Sequence, residues 1–456
     1  MQIIADYLRD NKERLEATLF ELLRIPSISA QTAHQADSER TVDWLVEYFT
    51  RIGFSTQVFP TIGNPLIYAE SPKFEGAPTL LIYGHYDVQP VDPLDEWQTP
   101  PFEPTVRDGM VYARGATDDK GPLLAHIVAA EFWMQSENRP KINVKFFLEG
   151  NEEGGDNNIT QFVHDNADLL ACDYLALSDS SQFAPGQPAI SCGFRGICGF
   201  ELTLRGPKQD LHSGTFGGAV SNPATVLTRI LASFKDADGH VLVPGFYDDV
   251  QRLSADEQAQ YDALPFDDEE FYRGVGTPGG EGEKDVPTLS RLWLRPTFDI
   301  NGITGGYQGQ GSKTIIPAWA SAKFSFRLVP NQNPDKLWES LEKYVADQLP
   351  IGITAEWKHF SHVPGFSVDT TRPCMKAAAS AVEFGFNRSP VFIRDGGSIP
   401  VVLTFSQVLT TNVMMIGLSQ STDNAHSPNE HWSMADFYRG IKMAVRLWYE
   451  LAAIGE

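Results

Sequence analysis

The chain has 456 residues, 42% hydrophobic and 21% charged, with a formal net charge of -23 at pH 7. That length accommodates two or three domains with sizeable cores, and the composition is that of a globular protein. Such acidity excludes nucleic-acid backbones and anionic membrane surfaces as partners, because both require a basic face.

At the start, "MQIIADYLRDNKERLEATLFELL" sets Leu8, Leu15, Leu19 and Leu22 in an apolar periodicity among charged residues. This predicts one amphipathic surface helix and no signal peptide. "SERTVDWLVEYFTRIG" has helical spacing, with Gly53 as its stop. "TLLIYG", "INVKFFLEG" and "YLALSD" are short, β-rich apolar runs that end in polar or charged residues, and "KGPLLAHIVAAEFWMQ" between them is helix-like. The alternation predicts an α/β layered sheet with helices on its faces.

The texture changes near Arg195. "GFELTLRG", "WASAKFSFRLV" and "ITAEWKHF" read as strands, "NPATVLTRILASF" and "NPDKLWESLEKYVADQL" as helices, the latter with Asn333 as N-cap. These predict a small α+β domain inserted in the larger one. Residues 235–290, rich in Asp, Glu, Gly and Pro, form a long excursion with some helix. After about residue 367 the α/β texture returns with "TRPCMKAAASAVEFGF", "NVMMIGL" and a final amphipathic helix from Met434. The division is therefore 1–194 with 367–456, interrupted by 195–366. Four cysteines with no C-x-x-C pair fit a reducing cytoplasm and exclude a zinc ribbon. No apolar run has transmembrane length.

Polar residues gather where the apolar runs end. "LLIYGHYDVQP" carries His85 and Asp87, "YARGATDDKGP" Asp118 and Asp119, "FFLEGNEEGGD" Glu149, Glu152 and Glu153, and "YLALSDSS" Asp179. Far downstream, "STDNAHSPNEH" carries Asp423, His426, Glu430 and His431. Each cluster alone has an ordinary explanation: Asp118-Asp119 as a helix N-cap, Glu152-Glu153 as a solvated loop, His426 as a loop histidine. Ligands of open α/β sheets, however, bind beyond the carboxyl ends of strands, so one crevice can collect all of them. Histidines and carboxylates without thiolate suit a pair of zinc, manganese or cobalt ions, which a carboxylate can bridge. Of the adjacent Glu152 and Glu153, one can bind metal while the other faces the water. Residues two apart on a strand share a face, and a metal-bound imidazole needs its second N–H held, which gives Asp87 a place behind His85.

"GHYDVQP", "ARGATDDKG", "EGNEEGGD", "DLHSGTFGG" and "AHSPNEH" together resemble the dinuclear metallopeptidases of the aminoacylase/carboxypeptidase type, with the carnosinase-like dipeptidases as the nearest branch. The similarity runs from about residue 20 to residue 440, motifs in family order; Ala113 stands where many relatives have Gly. The resemblance implies a mixed-sheet α/β/α dinuclear exopeptidase catalytic domain, split by an inserted α+β lid and dimerisation domain. It implies His85, Asp118 and Asp179 on one metal and His426, Asp118 and Glu153 on the other, with Asp118 bridging and the Asp118-Asp119 peptide cis. Zinc comes first for the two divalent ions per subunit, with manganese or cobalt also compatible. Glu152 becomes the general base that activates a metal-bridging hydroxide and then protonates the leaving amine. His212 of "DLHSG" and Thr314 of "GSKTIIP" act in trans across a homodimer, and Arg327 of "FSFRLVPNQ" grips the substrate's C-terminal carboxylate. His362 of "FSHVPG" and Ser398 of "DGGSIP" match further substrate contacts.

The expected activity is hydrolysis of dipeptides or short peptides with a free C-terminal carboxylate, in the cytoplasm. The alternative is an N-acyl amino acid deacylase with the same metal core. A non-catalytic scaffold would be expected to have lost a ligand or the base, and none is missing. "GVGTPG" follows no strand and contains Pro278, "GGSIP" lacks the second Gly of a nucleophile elbow, and "GQGSKT" has Ser312 where a phosphate loop needs Lys.

Overall fold

The computed structural model describes residues 2–155, 158–251, 253–397 and 400–454. The chain packs as two compact units, Met1–Cys192 with Val368–Ile393 and Val401–Glu456, and Gly193–Ser367 with Arg394–Pro400. Arg394–Pro400, left with the first part by the sequence division, joins the second unit, where the Arg195 N–H donates to the Asp395 carbonyl at 3.1 Å.

The first unit is built on a mixed sheet in the order Ser55–Phe59, Leu66–Glu70, Asn143–Glu149, Thr79–His85, Tyr174–Leu177, Asn412–Ile416, Ala189–Phe194. Its middle is parallel: Thr79–His85 runs beside both Asn143–Glu149 and Tyr174–Leu177, and Asn412–Ile416 runs parallel to Tyr174–Leu177. Four carboxyl ends therefore emerge on one edge. These strands are continuous apolar runs because both faces are covered. The helix Lys120–Met134 is buried over nearly its whole length, as an apolar surface all round requires. It packs on Thr79–His85 and against the helices Lys12–Leu23 and Met434–Ile454, the last of which also packs on Pro373–Phe386.

The N-terminal segment is two helices rather than one, Gln2–Asp10 and Lys12–Leu23. Asn11 breaks it, its side-chain amide turning back to the Tyr7 carbonyl at 2.9 Å. Leu8, Leu15, Leu19 and Leu22 are buried as their spacing predicts. The helix Gln35–Arg51 ends before Gly53, which adopts φ +91°.

The second unit carries an antiparallel sheet in the order Thr297–Gly305, Trp319–Leu328, Gly196–Arg205, Thr354–Val363. Alternate residues Phe200, Leu202 and Leu204 with Ala322, Phe324 and Phe326 form one apolar face. The helices Pro223–Ser233 and Pro334–Ala346 pack on it. Each starts with an Asn N-cap followed by proline, Asn222 accepting from the Ala224 N–H and Asn333 from Asp335 and Lys336. Among the described residues no helix is long and apolar enough to cross a membrane.

One buried group in the central helix makes stability depend on acidity. His126 is buried, its Nε2 lies 2.8 Å from Ser178 Oγ, and burial pulls its pKa from 6.5 down to about 4. As pH falls the unfolded chain takes up this proton first, so the contribution is whole above pH 6.5 and lost towards pH 4, where the cost reaches about 3 kcal/mol. His126→Gln, with an amide nitrogen in reach of Ser178, should flatten the fall in unfolding free energy between those pH values by about that amount, measured by urea titration against the wild type.

Candidate active site

The parallel register sets the site. His85 is the last residue of its strand and pairs with Glu149, the last of the neighbouring strand; Asp179 follows Leu177 by two residues. His85 and Asp87 are fully buried. Gly84 has to lack a side chain, because a Cβ there would lie 2.7 Å from Asp119 Oδ2. That oxygen accepts the His85 backbone N–H at 3.2 Å. Asp119 occupies the N-cap position of the helix Lys120–Met134, yet its carboxylate makes no capping bond. The Asp118-Asp119 peptide is cis.

Two ligand groups form around one carboxylate. His85 Nε2 lies 3.0 Å from Asp118 Oδ1 and 3.8 Å from Asp179 Oδ2. His426 Nε2 lies 2.9 Å from Asp118 Oδ2 and 3.3 Å from Glu153 Oε2. In each of the groups His85–Asp118–Asp179 and Asp118–Glu153–His426, the candidate ligand atoms fall within 4.8 Å of one another. Asp118 thus offers one oxygen to each group, and all donors are imidazole nitrogen or carboxylate oxygen.

The electrostatics call for positive charge at both points. Burial opposes protonation of His85, but its contacts with Asp118 and Asp87 hold its pKa well above the usual value. Hydrogen bonds to Asp118 and Glu153 lift His426 to about 10. Burial, with Asp118 close by, pushes Asp179 up to about 7, whereas the two histidines hold Asp118 far below the carboxylate range. Protons partly neutralise this cluster; two divalent cations on the same donors would more than offset its three carboxylates, and the donor set fits zinc, manganese or cobalt.

Asp87 does more than stand behind His85. His85 Nδ1 is 3.1 Å from the Asp87 carbonyl and 3.5 Å from Asp87 Oδ1. The same carboxylate accepts the backbone N–H groups of Glu152 and Glu153, at 3.3 and 3.1 Å. Gln89 donates from Nε2 to Glu153 Oε2 at 2.7 Å. Burial and the neighbouring carboxylates push the Glu152 pKa up, against the pull of His85. Beside Asp118 and Asp179 lies a cavity of about 330 Å³ with a polar wall that includes Ser180, Ser181, Ser419, Gln420 and Ser421.

Sequence reasoning assigned no role to Arg114, Gln89 or the buried Glu430. The Glu430 carboxylate accepts from Arg114 Nη1 at 2.8 Å and from the Gly115, Thr117 and Asp118 N–H groups at 2.9, 3.0 and 3.2 Å. Its place in "AHSPNEH", four residues after His426, was the available signal.

The remaining predicted residues lie in the second unit. His212 pairs with Ile315, and the Thr314 carbonyl accepts the Ser213 N–H at 3.1 Å, so His212 and Thr314 share one two-stranded ribbon. The Gly214 N–H donates to His212 Nδ1 at 3.0 Å, which leaves Nε2 as the protonated nitrogen of the neutral ring. Arg327 stands opposite Ile197 and Thr297 in the sheet. Burial, followed by the nearby charge of Arg327, lowers Arg195 to about 10. His362 is exposed, with Nε2 2.9 Å from Asp335 Oδ1. Ser398 lies outside the described residues.

An α/β sheet with imidazoles and carboxylates meeting at its carboxyl edge, in two groups that share an aspartate, defines a dinuclear metallohydrolase. Residues 81–450 match the model of peptidase family M20/M25/M40, and the chain belongs to that family. It is therefore a metal-dependent peptidase. The Cys-Gly metallodipeptidase dug1 of Schizosaccharomyces pombe is 32% identical over 460 residues, spanning 97% of this chain and 96% of that protein. The Beta-Ala-His dipeptidase of Homo sapiens is 34% identical over 397 residues, spanning 86% and 78%. Among solved structures, the M20 family metallo-carboxypeptidase Sso-CP2 of Sulfolobus solfataricus superimposes with a TM-score of 0.82 at 33% identity, covering 96% and 99% of the two chains.

The shared carboxylate generates a graded expectation. Asp118→Ala should abolish tight binding in both groups, whereas Asp179→Ala and Glu153→Ala should each spare one. Equilibrium dialysis against zinc, with bound metal counted by atomic emission, checks this; an Asp118→Ala protein that retains two tightly bound ions would contradict it.

Proposed function

We propose that the enzyme hydrolyses the peptide bond of dipeptides and short peptides that carry a free C-terminal carboxylate. The observation that carries this reading is the division of the Asp118 carboxylate between two ligand groups, next to the half-buried Glu152. His85, Asp118 and Asp179 would hold one divalent ion and His426, Asp118 and Glu153 the other, zinc first. Bound there, the pair polarises the scissile carbonyl and makes water acidic near neutral pH.

The protein's own groups do the rest. Glu152 takes the proton from the attacking water as the C–O bond forms. It then delivers that proton to the leaving amine as the C–N bond breaks. A carboxylate whose pKa is raised by burial is suited to both steps. Asp87 sets the direction of Glu152 and Glu153 through their backbone amides, and orients His85. His212, with its proton on Nε2, has a donor to offer the developing oxyanion, and Thr314 lies on the same ribbon. These two act in trans if the inserted unit forms a homodimer, as the family resemblance implies. Arg327, with Arg195 nearby, makes a cationic locus suited to the substrate carboxylate; His362 and Ser398 are further substrate contacts. Four unpaired cysteines support a cytoplasmic location.

The relatives are named for Cys-Gly and Beta-Ala-His dipeptides, which favours peptides over N-acyl amino acids. Xaa-Gly dipeptides should therefore turn over faster than N-acetyl amino acids. Glu152→Gln should keep its metal content while kcat falls by about 10²–10⁴-fold. A variant with full metal and near-native kcat would remove Glu152 from the mechanism. A C-terminally amidated dipeptide should lose at least about tenfold in kcat/KM against the free acid, a loss that Arg327→Met should erase; equal rates for amide and acid in the wild type would refute the carboxylate assignment.

A further inference from the structure

His426 presents its ring from an irregular loop that local preference does not favour. Asn424, His426 and Asn429 all have positive φ, at 56°, 61° and 61°. A left-handed conformation is unfavourable for residues other than glycine, and histidine gains less there from local hydrogen bonding than asparagine does. The His426 side chain is also half exposed, so packing alone does not fix it. Tertiary contacts have to hold the loop.

They converge on the segment that ends at Asp118. Glu430, fully buried, turns both carboxylate oxygens to it: Oε2 accepts from Arg114 Nη1 and the Gly115 N–H, Oε1 from the Thr117 and Asp118 N–H groups. Its backbone carbonyl accepts the Ala113 N–H at 3.1 Å. On the other side of His426, Asp423 Oδ2 accepts from Thr117 Oγ1 at 2.8 Å. The last donor to Glu430 is the amide of the very residue whose Oδ2 faces His426 Nε2.

We propose that Glu430 is a positioning residue that sets the separation between Asp118 and His426, and so governs the affinity of the cation site they share with Glu153. It touches neither substrate nor metal. A glutamine at this position has one acceptor oxygen and an NH₂ aimed at N–H donors, so the clamp opens without a change of volume. The inference rests on reading Asp118 and His426 as metal ligands.

The test uses the full-length enzyme stripped of metal and titrated with zinc by calorimetry, then loaded with cobalt for absorption spectroscopy. In Glu430→Gln the zinc shared by Asp118, Glu153 and His426 should bind about 10–100-fold more weakly, and the zinc on His85, Asp118 and Asp179, whose other two ligands are held elsewhere, should lose less than about threefold. At saturating zinc kcat should fall by at least about tenfold with KM within twofold, and the visible cobalt bands should shift. Equal weakening at both sites with a changed KM is a general loss of structure and overturns the proposal. Glu430→Gln with both zinc affinities, kcat and cobalt spectrum unchanged overturns the proposal. Should that variant not fold, Arg114→Lys decides in its place: it should weaken the same single site, and wild-type affinity at both sites overturns the proposal. His426→Ala serves as the separate check of the ligand reading. If it binds two zinc ions with wild-type affinity, the ligand assignment falls, whatever Glu430 does.

Discussion

A half-buried carboxylate facing two imidazoles, one on each oxygen, is the constraint on which the rest of the first unit depends. Asp118 cannot be desolvated there without positive charge on both sides, since an ionised carboxylate away from water is tolerated only when paired. His85 supplies one side from the end of a buried strand and His426 the other from a loop more than 300 residues later in sequence. Asp179 and Glu153 then add more negative charge than two imidazolium ions can offset. The surplus is what makes the arrangement a cation site rather than a salt-bridge network.

Such a concentration of charge stays in place only if the groups behind it are held. Parallel pairing does the coarse work, setting His85 level with Glu149 and delivering four strand ends to one edge. Finer placement comes from backbone amides trapped by carboxylates. Asp87 holds the two amides of the Glu152-Glu153 turn, Asp119 holds the amide of His85, and Glu430 holds three amides of the Asp118 segment. An amide is a better handle than a side chain, because fixing it fixes the φ and ψ from which the ligand's own rotamer departs. Each of these acids is buried, so the bonds work in a medium of low dielectric.

How much of this could be read beforehand follows from the range of the interaction concerned. Strands and helices were legible because their signal is local: apolar runs, Asn-Pro helix starts, and the stop at Gly53. The candidate ligands stood out because three of the charged clusters directly follow an apolar run, and because five motifs match one family in order. The N-terminal break was missed because Asn11 sits inside an unbroken leucine periodicity. The pairing of Glu430 with Arg114 was missed because its donors lie more than 300 residues away, and nothing local separates a buried acid from an exposed one. The second role of Asp87, on amides 65 residues later, was hidden in the same way. For His212, Thr314, Arg327 and His362 the sequence carried only the family likeness, since a histidine or arginine on an exposed strand has no pattern of its own.

The N-terminal helices, remote in sequence from every ligand, are tied to the same centre by a buried cation. Lys120 follows the Asp118-Asp119 pair, and its Nζ donates to the carbonyls of Leu22 and Ile25, at 3.3 and 2.6 Å. Burial draws its pKa down to about 7, with Asp87 and Glu430 pulling the other way. The ammonium meets the negative end of the helix Lys12–Leu23, where carbonyls lack intrahelical partners. Two residues after Ile25, Ser27 accepts the Val88 N–H at 3.0 Å through its carbonyl and donates its hydroxyl to the Tyr86 carbonyl at 2.6 Å, which brackets Asp87. The first turn of the central helix, the end of an N-terminal helix and the segment bearing Asp87 are thus one hydrogen-bonded piece. A disturbance at Leu22–Ser27 has a short route to the acid that aims Glu152, although no residue of that segment stands among the ligands.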